Sequence, residues 1–172
     1  MEQLLTLIRD VPNFPKPGIV FKDITPLLRD PAGLAMAVEQ MVSPFRGKHV
    51  DVVCGAESRG FIFGTALAQA LSAGFIPIRK PNKLPHTTRG IEYSLEYGTD
   101  RLEIHEDAVT AGQRVLMVDD LLATGGTMRA CCELISQLGG EIVGITMLIE
   151  LAFLEGRKQL EKYGDVHAVM TY

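Results

Sequence analysis

Two adjacent carboxylates, Asp119 and Asp120, close the apolar run Val115-Leu116-Met117-Val118, and Leu121-Leu122-Ala123-Thr124-Gly125-Gly126-Thr127 follows them. Carboxylates repel phosphate but accept hydrogen bonds from vicinal hydroxyls. The loop does the complementary work. Its glycines let backbone N–H groups close around an anion, and Thr124 and Thr127 add hydroxyl donors. Together they describe a site for a ribose that carries a phosphate monoester. The same residues would also serve a plain strand-to-helix turn. No lysine follows the glycines, so the triphosphate-cradling P-loop pattern is absent, and the glycine spacing is not that of a dinucleotide fingerprint.

The elements around this segment decide what it can meet. Val115 to Val118 is too short for a helix and reads as a buried parallel strand. Met128, Cys131, Leu134, Ile135 and Leu138 recur at helical spacing until Gly139-Gly140 stops them. The pattern further predicts a short helix over 2–9, a turn-rich segment through Pro26 and a helix from Asp30-Pro31. Beyond these it predicts a strand over 50–54, a helix to Leu71, a strand over 75–78, and antiparallel strands near 92–97 and 101–105. Last come a strand over 142–148, a helix over 153–163 and a strand over 166–170. The expected fold is α/β, a mostly parallel sheet flanked by helices.

In such sheets ligands lie at the carboxyl ends of the strands. The loop after Cys54, Gly55-Ala56-Glu57-Ser58-Arg59-Gly60, ends at a helix N-terminus and offers backbone donors and a guanidinium to a diphosphate. After Ile78 come Arg79, Lys80 and Lys83, cations that precede a loop with Pro, Thr and Gly. Read alone, Arg59 also fits a surface charge, while Glu96 reads as an exposed strand carboxylate and Phe21 and Leu151 as core residues. His86 and Arg89 receive no role and read as solvated.

With 172 residues and nearly half of them apolar, the chain suits one well-buried domain. A net charge of −4 argues against a nucleic-acid binder held by phosphate contacts. Cys54, Cys131 and Cys132 lack metal-ligand spacing and read as small buried hydrophobes in a reducing, cytoplasmic setting. Residues 60–78 carry no charge, but Gln69, Ser72 and Pro77 favour a covered helix and strand over a membrane span. No signal peptide is evident at the N-terminus.

The 115–127 segment resembles the phosphoribosyl pyrophosphate (PRPP) motif of the type I phosphoribosyltransferase family. Val11 to Pro26, Glu57-Ser58-Arg59-Gly60-Phe61, Ile78-Arg79-Lys80 and Tyr93-Ser94-Leu95-Glu96-Tyr97-Gly98 resemble the adenine-using branch of that family. The resemblance implies a single domain over 1–172, with a base-binding hood over 1–26 and a movable lid over 81–91. It implies ribose-phosphate contacts from Asp119, Asp120, Ala123, Thr124, Gly125, Gly126 and Thr127. Pyrophosphate contacts would come from Glu57, Ser58, Arg59, Arg79, Lys80 and Lys83, with a cis Glu57-Ser58 peptide. Adenine would stack on Phe21 and Leu151 and be read by main-chain groups of Val20 and Lys22, while Glu96 and Arg59 would act on the reacting centre. The implied reaction is adenine plus PRPP to AMP plus pyrophosphate, in a homodimer that binds neither nucleic acid nor membrane. Mg²⁺ would arrive with PRPP, helped by Asp119 and Asp120. Another purine base, or a PRPP-sensing regulator on the same fold, stands as the alternative.

Overall fold

The computed structural model describes residues 2–94 and 99–172, and the chain divides into two compact units, residues 1–40 and 41–172. In the first unit a four-residue helix α1 (Glu2–Leu5) precedes an antiparallel hairpin of β1 (Arg9–Pro12) and β2 (Val20–Asp23), paired from Arg9↔Asp23 to Pro12↔Val20. The helix is shorter than its sequence pattern predicts, and a hairpin replaces the purely turn-rich stretch. Asn13 at φ 59° and Gly18 at φ 87° turn the chain, and the Gly18 N–H donates to Asn13 Oδ1 at 3.0 Å. The short helix α2 (Thr25–Arg29) follows. Helix α3 (Pro31–Val42) then starts where Asp30 accepts the Gly33 N–H at 2.6 Å, the expected cap with proline just inside it.

The second unit is built on a five-stranded parallel sheet. Its strands are β3 (Val52–Ala56), β4 (Gly74–Ile78), β7 (Arg114–Leu122), β8 (Glu141–Glu150) and β9 (Val166–Thr171), in spatial order β4-β3-β7-β8-β9. Helix α4 (Gly60–Leu71) packs on β3, β4 and β7, and α5 (Gly126–Gln137) on β7, β8 and β3. In α4, Gly60, Phe63, Gly64, Leu67 and Ala68 are buried, the one-sided stripe expected of a helix laid on a sheet. Val115 to Val118 in β7 are fully buried, as is most of β8, which accounts for runs without alternation. Cys54, Cys131 and Cys132 are buried free thiols in this core. The stop after α5 is the expected one: Gly139 sits at φ 84° and the Gly140 N–H returns to the Ile135 carbonyl at 3.0 Å.

A separate antiparallel pair, β5 (Thr88–Ser94) and β6 (Thr99–His105), stands beside this sheet. Pairing begins at Thr88, opposite His105, so the last part of the expected loop is strand. The segment after β8 corrects the predicted helix over 153–163. It forms two short 3-10 turns, Ala152–Leu154 and Gly156–Gln159, interrupted by Glu155 in the left-handed region at φ 53°. No described helix is long and apolar enough to cross a membrane.

The chain leaves β3 toward β4 on one side and β7 toward β8 and β9 on the other. The point between β3 and β7 is thus the topological switch, where the loops after both strands diverge and leave a crevice.

Candidate active site

That crevice holds a cleft of about 340 Å³. Its walls are Glu57, Ser58 and Arg59 from the loop after β3, Asp119 to Met128 from β7 into α5, Lys80 after β4, and Tyr93, Asp100 and Leu102 from the β5–β6 pair. Every ribose-phosphate residue expected from the sequence is therefore in one place.

One side of the cleft is the loop from Ala123 to Thr127. Gly125 at φ 86° forms the cap of α5, and no side chain caps that helix, so its first-turn N–H groups face the cleft as an anion site. The loop is shaped from behind. A Cβ on Gly125 would come within 2.5 Å of the Gly156 carbonyl oxygen, and one on Gly156 within 2.2 Å of the Ala123 carbonyl oxygen. Backbone meets backbone there, and only glycine fits on either side. The Gly156 turn is held in its own right by Arg157, whose Nε and Nη2 each lie 2.6 Å from the two oxygens of buried Glu150 and whose Nη1 donates to the Val166 carbonyl.

Beside the loop stands the carboxylate pair. Asp119 Oδ1 accepts the Asp120 N–H at 2.9 Å and lies so close to Gly60, at the start of α4, that a Cβ there would approach it to 2.8 Å. Asp120 is 5% exposed, and its Oδ2 lies 2.9 Å from Arg59 Nε. The charges are close, yet the contact is an ion pair and not a hydrogen bond, and this buried oxygen has no hydrogen-bond partner among the described residues. Burial raises the Asp120 carboxyl above the ordinary range, opposed by the Arg59 charge. Asp119 keeps some exposed surface but is sunk among enough protein atoms that burial, and then the neighbouring Asp120 charge, push it well up. Asp120 Oδ2 lacks a donor among the described residues, the condition in which a hydroxyl donor from a sugar binds well.

On the opposite wall the Glu57-Ser58 peptide is cis, as the resemblance implies. Arg79 does not line the cleft. Its Nε donates to Glu57 Oε2 at 3.0 Å and its Nη1 to the Lys83 carbonyl at 3.1 Å, while the Lys83 side chain is exposed outside. Of the three clustered cations only Lys80 reaches the wall, where its Nζ donates to Asp100 Oδ2 at 2.7 Å. Glu96 lies outside the described residues. Arg89 is not simply solvated, because its Nη1 donates to the Gln137 carbonyl at the end of α5, at 3.3 Å. His86 stays exposed, with its N–H donated to His105 Nε2 at 3.3 Å.

Base-side residues fall in both units. Val20 is 48% exposed on β2, and Phe21 meets the Phe14 ring edge-on at 5.2 Å. The Lys22 Nζ donates to Asp10 Oδ1 at 2.7 Å. Leu151 follows β8 in the second unit and donates its N–H to the Leu122 carbonyl at 2.9 Å.

Sequence reasoning missed Tyr93, Asp100, Leu102, Leu121, Leu122 and Met128 as cleft residues. Tyr93 stood in a quoted motif, but nothing in the spacing marked Asp100. The Tyr93 hydroxyl contacts Thr127 Oγ1 and Asp100 Oδ2, each at 3.4 Å, and joins the two halves of the cleft.

A loop with a cis peptide, a carboxylate pair and an open helix N-terminus at the switch point of a parallel sheet have the chemistry of a sugar-phosphate transferase site. Residues 27–170 match the family model described as "Phosphoribosyl transferase domain". The chain is 54% identical over 172 residues, all of both chains, to an adenine phosphoribosyltransferase of Methylococcus capsulatus. It is 57% identical over 169 residues, 98% of this chain and 99% of the other, to one from Acaryochloris marina. Among solved structures, the adenine phosphoribosyltransferase of Thermoanaerobacter pseudethanolicus superposes with a TM-score of 0.96 at 50% identity, covering 99% of each chain. That of Saccharomyces cerevisiae, complexed with an imino-altritol bisphosphate and adenine, gives 0.88 at 37% identity over 97% and 95% of the two chains. The chain belongs to the adenine phosphoribosyltransferase family.

Proposed function

We propose that this chain transfers the 5-phosphoribosyl group of PRPP to N9 of adenine, giving AMP and pyrophosphate, a purine-salvage step. The observation that carries the reading is the buried, donor-seeking Asp120 oxygen beside the uncapped start of α5, in one cleft with Arg59 and Lys80. The loop 123–127 holds the 5′-phosphate, and Asp119 and Asp120 accept hydrogen bonds from the ribose hydroxyls. Arg59, Lys80 and the main chain of Glu57-Ser58 hold the diphosphate, with Arg79 and Lys83 behind them. Each of Val20, Phe21, Lys22 and Leu151 is assigned to contact with the base, and Glu96 handles a proton or charge near the reacting centre.

In the reaction the N9 lone pair forms the new bond to C1′. The C1′–O bond breaks, its electrons leave with pyrophosphate, and the N9 proton is released. The transition state is ribocation-like, so fixed donors on the departing charge contribute most. The chemistry of the cleft fits Mg²⁺ carried by PRPP, because its donors are hard carboxylate oxygens. When bound, Mg²⁺ neutralises diphosphate charge and makes pyrophosphate a better leaving group. We take the working form to be a cytoplasmic homodimer, with residues 81–91 closing over the diphosphate.

A panel of purine bases with PRPP and Mg²⁺, followed by pyrophosphate release, tests the reading. AMP formation with adenine alone is expected. Exclusive use of an oxopurine overturns the base assignment, and PRPP binding without turnover favours a regulator.

A further inference from the structure

The cleft wall that must accept a diphosphate carries a carboxylate, Asp100, which none of the transfer steps uses. Each bond that fixes it is visible. Its Oδ1 accepts the Arg101 N–H at 2.8 Å, and its Oδ2 lies 3.4 Å from the Tyr93 hydroxyl, which is 5% exposed as a residue. The same Oδ2 accepts from Lys80 Nζ at 2.7 Å. Tyr93 is tied in turn to Thr127 of the phosphate loop. Asp100 is thus a short side chain held at two points, whereas Lys80 is a long one, half exposed on a flexible stem. When an anion enters, the lysine can move and the aspartate cannot.

Resting on the phosphoribosyl-transfer reading of this cleft, we infer that Asp100 is a resident counter-anion for Lys80. It positions the lysine between turnovers, yields it to the diphosphate of PRPP and recaptures it as pyrophosphate leaves. A fixed carboxylate competes with the product for the same ammonium, so it weakens pyrophosphate binding and favours release. The local charges agree. The Asp100 hydrogen bond holds the Lys80 ammonium above its ordinary pKa, with Tyr93 and Glu57 adding smaller effects, and Lys80 with the Arg101 N–H holds the Asp100 carboxyl below its own. Asp100 is a positioning residue, since it acts through Lys80.

The test is calorimetric titration of pyrophosphate, with Mg²⁺, into the full chain and three variants: Asp100→Asn, Lys80→Met and the double variant. Asparagine keeps an acceptor for the Arg101 N–H but turns a donor toward Lys80. Exposed pairs of this kind are worth enough for an about two- to fivefold effect. Asp100→Asn is therefore expected to bind pyrophosphate about two to five times more tightly than wild type and to leave affinity unchanged in the Lys80→Met background. A damaged site would not gain affinity, which separates this outcome from a structural one. Equal or weaker binding by Asp100→Asn overturns the inference. So does an equal gain in both backgrounds, because Asp100 would then act by plain repulsion. If wild type binds no pyrophosphate and makes no AMP, the site reading itself fails and takes the inference with it. If it does both, only the role of Asp100 is in question.

Discussion

Gly156 lies outside the cleft yet sets the shape of the loop 123–127, to which we assign the 5′-phosphate, and Gly156→Ala measures that control. The added Cβ would stand 2.2 Å from the Ala123 carbonyl oxygen, 3.1 Å from the Gly125 nitrogen and 3.1 Å from Leu122 Cδ1. Ordinary carbon–oxygen contacts are about 3.3–3.6 Å, so roughly 1 Å must open. The nearest atom is backbone, not a side chain that can rotate away. The turn carrying Gly156 is anchored by the bidentate Arg157–Glu150 pair, so the side that yields is the loop 123–125. A misplacement of about 1 Å in a positioning group can cost about 100-fold in rate. The expected result is a fall of roughly 10- to 100-fold in kcat/KM for PRPP, in steady-state assays of pyrophosphate release with PRPP varied at saturating adenine. Gly47→Ala, where nothing lies within 4 Å of the new Cβ, is the control and should retain wild-type kinetics. If Gly156→Ala lowers the melting temperature but keeps wild-type kcat/KM, the turn has yielded instead of the loop, and the buttress argument is refuted.

Arg157→Ala should lower the melting temperature by about 6–12 °C, because it leaves the buried Glu150 carboxylate unpaired at a cost of about 3 kcal/mol. Thermal unfolding checks this, and Arg157→Lys should fall between, since one ammonium cannot replace two parallel bonds. Asp119→Asn should stabilise the ligand-free fold at neutral pH. Burial raises the folded-state pKa of Asp119 above the unfolded value of about 3.9, so its ionisation costs stability as pH rises past about 4. Asparagine still accepts the Asp120 N–H, so melting curves should separate at pH 7–8 and converge near pH 4; a destabilised variant at pH 8 would contradict the assignment. Arg59→Ala should reduce kcat/KM for PRPP by roughly 10- to 100-fold, the worth of charge-assisted hydrogen bonds, and wild-type kinetics would remove Arg59 from the site.

The segment from Val115 to Thr127 was legible because its signals are local. A run of apolar residues marks a strand covered on both faces, paired acids mark a hydroxyl acceptor, and adjacent glycines at a strand-to-helix junction mark an anion loop; each is a property of neighbours in the chain. The loop after β3 was legible for the same reason, down to Arg59. Local pattern failed at 153–163, where apolar spacing imitates a helix but Glu155 takes a left-handed conformation and Gly156 is pressed against the phosphate loop. It failed also at 9–23, where proline and glycine mark turns without showing that the flanking residues pair. Composition and spacing determined the sheet, the helices packed on it and the gathering of residues 119–127 at its switch point. Tertiary structure alone decided that Lys80 rather than Arg79 or Lys83 lines the cleft, that Asp100 holds it, that Tyr93 bridges to Thr127, and that Gly156 backs the loop. Those contacts join residues 20 to 34 positions apart. Which long-range neighbours meet depends on how strands register and helices pack, and no periodicity along the chain records that.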